Sequence, residues 1–166
     1  MPYPRKVRES ADAGLAPPLG KSRRNMNVVL FIGQVLFAAL FITSGIGHFA
    51  KLEAMTGYAQ YKKLPAAKLG VMASGLFFLV GGILIVIGTY VDLGALLIAI
   101  TLILAAVIFH NFWKETDATT KMNEQIAFNK DISLAGAALI LVALVASGAV
   151  ESSDLLFNIG SISFFN

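Results

Sequence analysis

Residues 25–50, 69–91, 93–113 and 132–150 contain no Asp, Glu, Lys or Arg, and each run is between 19 and 26 residues long. A helix needs about 20 apolar residues to cross the hydrocarbon core of a bilayer. The pattern therefore predicts an all-α integral membrane protein, a four-helix bundle whose sequential spans are antiparallel neighbours. The first run holds thirteen Val, Ile, Leu or Phe residues between Val28 and Phe49. Near a helix centre each favours insertion by about 0.3–0.6 kcal/mol, so the single amide of Gln34 cannot overturn the span. That amide is expected either to face the bundle and find a partner there or to sit near the interface on its own backbone.

The second helix is expected from near Pro65 to Tyr90, because a missing N–H is harmless in a first helical turn. The connection Tyr90-Val91-Asp92 is so short that the second and third spans must be adjacent and antiparallel. Small residues recur in the spans: Ser44, Gly45 and Gly47; Gly70, Ser74, Gly81 and Gly82; Gly136, Ala143 and Gly148. They allow close backbone approach in lipid, where hydrophobicity provides no driving force between helices. Between the first two spans, Leu52, Met55, Tyr58 and Tyr61 repeat at spacing three, which predicts a short amphipathic helix on the membrane surface.

Composition agrees, with 57% hydrophobic and 14% charged residues. Three regions follow: a basic N-terminal tail (1–25), the transmembrane domain (26–150) and an apolar C-terminal tail (151–166). The first tail carries four prolines, six basic residues and two acids before Asn25. It has too little apolar surface to fold alone and is expected to be solvated or laid along a partner or anionic lipid. The last segment, with Phe157, Phe164 and Phe165, is too short to span and is expected in the interface or against another protein. Six Lys or Arg before the first span favour a cytoplasmic N-terminus, in a bacterial or archaeal cytoplasmic membrane. With no cysteine, the chain can hold no disulfide, thiolate zinc site or iron–sulfur cluster of its own. The surplus of charge is +3 and lies in the N-terminal tail, so no nucleic-acid partner is indicated.

Under alternation the ends of the first and third spans emerge on one membrane face, bringing His48 and His110 to the same surface. His110 and Trp113 are three apart and are expected to share a helical face. A rim histidine exchanges protons near neutral pH, which suits a quinone headgroup, whose carbonyls need donors and whose reduction takes up protons. The bland alternative is that each histidine bonds to backbone or water and packs a helix end. A carboxylate from Glu53, Asp117 or Asp131 would be needed to complete a metal site, but there is no HxxH or HxxxH pair, so no metal is expected. Lys130-Asp131 is expected to open the fourth helix. Asp131 then either caps free N–H groups or pairs, with Lys130, near His110.

Several of these segments resemble the DoxX family of small four-helix membrane proteins. They are Ser44-Gly45-Ile46-Gly47-His48-Phe49-Ala50-Lys51, Leu64-Pro65, Gly81-Gly82, His110-Asn111-Phe112-Trp113, and Lys130-Asp131-Ile132-Ser133-Leu134-Ala135-Gly136. The family usually has Asn after that Lys, so Asp131 replaces a neutral amide with an acid. The resemblance implies a membrane subunit of quinone-linked oxidoreduction or a respiratory complex. The headgroup would lie among His48, His110, Asn111, Trp113, Lys130 and Asp131, and other membrane subunits would be its partners. Lacking cysteine and a convincing haem pair, the chain could carry electrons only through a bound quinone or a partner's cofactor. A non-catalytic accessory subunit whose tails embrace partners is the alternative reading. A small-solute transporter fits worse, because the spans hold no charge and few polar groups beyond Gln34, Thr43 and Thr101.

Overall fold

The computed structural model describes residues 19–165, with side chains from residue 25 onward. Five α-helices follow in order: α1 Leu19–Ala50, α2 Leu52–Tyr61, α3 Ala67–Val86, α4 Val91–Phe109 and α5 Ala118–Ala146. Short 3-10 turns stand at Phe112–Lys114 and Ser152–Asp154. Among the described residues there is no strand. Helices α1, α3, α4 and α5 are long and apolar enough to cross a membrane, and α2 is the short helix expected between the first two spans. The described part of the chain is an all-α membrane bundle.

Helix α1 packs on α3, α3 on α4 and α4 on α5, while α2 lies against α3. Glycine sets the closest approaches. A Cβ on Gly81 would stand 2.6 Å from the Gly94 carbonyl oxygen, and one on Gly94 would stand 2.7 Å from that of Gly81. Gly45 meets the Gly75 carbonyl oxygen in the same way at 2.8 Å. Gly75 and Gly94 thus carry seams that the span pattern did not single out, whereas Gly47 and Gly136 have nothing within 4 Å of a would-be Cβ. The α3–α4 pair is thus in closest contact near its connecting turn. Phe41, Phe78, Ile85, Ile98, Leu102 and Val145 belong to the main core. A smaller cluster of Ala59, Ala67 and Val71, with Leu52, Met55, Leu64 and Phe109, ties α2 to the bundle. Gln34 is buried and donates its amide to the Ile85 carbonyl at 3.0 Å, the bundle-facing alternative.

Several boundaries differ from the sequence pattern. Helix α1 already runs at Leu19, inside the stretch expected as tail; residues 1–18 lie outside the described residues. Pro65 precedes α3 rather than entering its first turn, because the chain turns there through left-handed Lys63 and Ala66. The α3–α4 connection is residues 87–90, and Asp92 sits in the first turn of α4. Helix α4 ends at Phe109, so His110 and Trp113 do not share an α-helical face. Helix α5 starts at Ala118, with the Asp117 carboxylate accepting from the Thr120 N–H at 2.8 Å. Asp131 is therefore deep inside α5 and caps nothing.

The C-terminal segment docks on its own chain. Tyr90 and Val91 donate their N–H groups to the Ser161 and Ile162 carbonyls at 2.7 and 2.8 Å. Asp92, fully buried, accepts from Ser163 Oγ at 2.5 Å and from the Phe164 and Phe165 N–H groups at 2.8 and 3.2 Å. Asn158 bonds the Gly88 carbonyl. The backbone of this tail satisfies the free N–H groups at the start of α4, and Phe157, Phe164 and Phe165 remain half-exposed. It forms a strap over the α3–α4 turn.

Candidate functional site

At the opposite end of the bundle α1, α3, α4 and α5 surround a cavity of about 450 Å³, roofed by Met55 and Tyr58 of α2. Most of its wall is apolar, including Phe41, Phe78, Leu102 and Leu134, with Ser44, His48, Tyr58, Ser74, Thr101, His110, Lys130 and Asp131 as its polar groups. Three apolar wall residues, Leu40, Phe77 and Leu104, are exposed, so the cavity is open on that side. The cavity thus reaches from the apolar flank of the bundle to a polar end.

His48 is set by close packing. Its Nδ1 lies 2.8 Å from the Ser44 carbonyl oxygen. A carbonyl only accepts, so Nδ1 carries the hydrogen and the neutral ring keeps Nε2 as an acceptor. The ring stands edge-on to Phe78, with centroids 5.7 Å apart. Gly75 makes room for it, since a Cβ there would lie 2.6 Å from His48 Cβ.

His110 is the first residue after α4 and has a carboxylate at each ring nitrogen. Nδ1 lies 2.7 Å from Glu124 Oε2, and Nε2 lies 3.5 Å from Asp131 Oδ2. Lys130 Nζ stands 4.0 Å from the other oxygen of Asp131 and is largely exposed. The contact at Nε2 is looser than the one at Nδ1, and a lone pair on Nε2 facing an ionised Asp131 would be repulsive, so a hydrogen on Nε2 or on the Asp131 carboxyl suits this geometry.

A second polar cluster holds the roof. Lys62 Nζ reaches Glu115 at 3.5 Å and Asn111 Oδ1 at 3.4 Å, and lies 5.8 Å from the Tyr58 ring centroid. Tyr58 stacks on Phe109 at 5.8 Å. Burial pushes the Tyr58 hydroxyl above the usual tyrosine range, with Lys62 opposing the shift. Asn111 and Trp113 are not part of the cavity wall. Asn111 also donates to the Ile108 carbonyl at 3.3 Å, and half-exposed Trp113 packs on Phe112 and Phe128 in an aromatic rim. Among the described residues no group of three or more His, Cys, Asp or Glu is arranged to hold a metal ion.

The four candidate residues that share the cavity are thus His48, His110, Lys130 and Asp131. Tyr58, Ser44, Ser74 and Thr101 join them in the wall without having been expected, and Glu124 stands outside the wall on His110 Nδ1. Glu124 was legible in principle: it lies seven residues before Asp131, which puts both on one face of a continuous helix.

The sequence model of the DoxX family matches residues 29–111, half of the chain. The chain belongs to the DoxX family. The match covers α1 to α4 and ends at Asn111, so the two carboxylates that flank His110 come from the part of the chain beyond it. No curated protein and no solved structure matches the chain. Family and spans together make it a multi-pass membrane protein.

Proposed function

We propose that this DoxX-family chain is the membrane subunit of a quinone-linked oxidoreductase and that its cavity takes the quinone headgroup. The observation that carries the reading is the cavity itself, with an apolar wall open at exposed Leu40, Phe77 and Leu104 and a polar end bearing two histidines and Asp131. The residues present fit such a group. Leu40, Phe77 and Leu104 leave an apolar route for a lipid-like tail, and the polar groups stand at the far end. A bound quinone would supply the two-electron carrier that a chain without cysteine lacks. His48 offers an acceptor nitrogen suited to a quinol hydroxyl, while His110 and Asp131 hold a proton suited to a quinone carbonyl. Lys62, Tyr58 and Phe109 keep α2 closed over this end and limit water.

An accessory, non-catalytic role drew its support from the tails. The C-terminal one is engaged through its backbone with the chain's own α3–α4 turn and leaves Phe157, Phe164 and Phe165 half-exposed.

Trp113 is the only tryptophan, so its fluorescence reports on the site without interference. Full-length protein in nanodiscs of phosphatidylethanolamine and phosphatidylglycerol would be titrated with decylubiquinone. Saturable quenching is expected, weakened about tenfold or more in His110→Ala, as for loss of one charge-assisted hydrogen bond of about 1.5–3 kcal/mol. Quenching that rises without saturation, and equally in both proteins, overturns the proposal.

A further inference from the structure

Glu124 has no place in the cavity wall, yet it makes the shortest contact to His110, 2.7 Å at Nδ1. Asp131, on the same face of α5, approaches the other nitrogen and lines the cavity. The ring is therefore held between an outer and an inner carboxylate. We propose that Glu124 is a positioning residue that locks the proton of neutral His110 on Nδ1, so that Nε2 and Asp131 keep one transferable proton at the cavity. An ionised carboxylate accepts and never donates, so Nδ1 must carry the hydrogen while Glu124 is ionised. The same geometry supports the imidazolium, because the charge on the ring faces Glu124 on one side and Asp131 on the other. A carboxylate behind a histidine sets its tautomer and orientation in acid–base sites generally.

The other charged groups nearby do not take this role. Lys130 lies beside Asp131, Lys62 is engaged with Glu115, and the Nδ1 of His48 is bonded to Ser44. The purpose of the arrangement, proton supply to a headgroup, rests on the function proposed above, whereas the tautomer lock is testable without any ligand.

The test is nitrogen-15 NMR of the full-length protein, labelled at histidine, in the same nanodiscs. There are two histidines, and His48→Gln assigns the signals. With the pH raised until the ring is neutral, His110 is expected to favour the Nδ1–H form, which meets Glu124 at 2.7 Å, over the Nε2–H form, which meets Asp131 at 3.5 Å, by somewhat less than the roughly tenfold of one unopposed charge-assisted bond. Glu124→Gln keeps the size of the side chain but offers an amide that can donate or accept, so the preference is expected to fall about tenfold. Glu124→Asp is expected to restore most of it. An unchanged tautomer ratio in Glu124→Gln overturns the inference, as does a wild-type ring in the Nε2–H form. Decylubiquinone quenching of Trp113 is recorded on the same samples. A tautomer that responds to Glu124 in a protein that shows no saturable quenching upholds the lock and overturns the quinone reading alone.

Discussion

Removing the Asp92 carboxylate should release the C-terminal strap while leaving the cavity intact. In the native chain Asp92 is fully buried and accepts from Ser163 Oγ, the Phe164 N–H and the Phe165 N–H at 2.5, 2.8 and 3.2 Å. A hydrogen bond to an ionised acceptor contributes about 1.5–3 kcal/mol net. Phe164 and Phe165 are half-exposed, so water takes over their N–H groups once the acceptor is gone. One full-strength bond to the buried Ser163 and two discounted ones leave about 3 kcal/mol. That is roughly a hundredfold in the equilibrium between docked and released tail. The absence of cysteine allows a clean assay. Ile162→Cys, partly buried against the core, is labelled with a maleimide in detergent, and the rate reports opening of the strap. In Asp92→Ala the rate should rise about a hundredfold, while Trp113 quenching by decylubiquinone at the other end of the bundle is unchanged. A labelling rate within threefold of the parent would show that apolar packing holds the tail and that the carboxylate does not.

Gly81→Ala places a Cβ 2.6 Å from the Gly94 backbone oxygen, where no flexible side chain can yield. It should cost about 1–3 kcal/mol as an overpacked seam, read as a lower Tm in detergent. Gln34→Leu removes the bond to Ile85 and should cost under about 1 kcal/mol, since hydrogen bonds between membrane helices are individually weak, checked in the same melting assay. The Thr120 N–H holds the Asp117 carboxyl below the usual carboxylate range. Its folded pKa is depressed, so the capping stability is present above the ordinary Asp value and is lost as pH falls through the folded one. Amide exchange at Thr120 should therefore accelerate on acidification below that ordinary value beyond the intrinsic trend, and Asp117→Asn should blunt the response. The Tyr58 hydroxyl is shifted the other way, by burial. Its contribution is present below the ordinary tyrosine pKa and fades as pH rises through the folded one, so the ultraviolet tyrosinate titration should contain a late component that Tyr58→Phe removes.

The runs of uncharged residues determined span number, helical class and antiparallel neighbours. That follows because lipid offers no partner for a free peptide group, and a chain with four such runs can satisfy its backbone only as helices. That the two histidines share one end of the bundle was also legible, since alternation alone brings the ends of the first and third spans to one face, and both line the cavity there. Helix ends were less legible, because freedom from charge measures burial in lipid and not helicity. The fourth span's helix begins at Asp117-Ala118, well before the uncharged run that starts at Ile132, as an Asp cap followed by a polar stretch with Thr119, Thr120 and Lys121. That extension decides the site. It turns Asp131 from a capping group into an interior one and carries Glu124 to the second nitrogen of His110. The strap on Asp92 and the contact of Gly81 with Gly94 likewise join residues far apart in the chain. A local pattern records which side chains avoid water. Which of them meet depends on how closely the glycine seams let the helices approach. In this chain the cavity lies beyond the seam that pins α3 to α4.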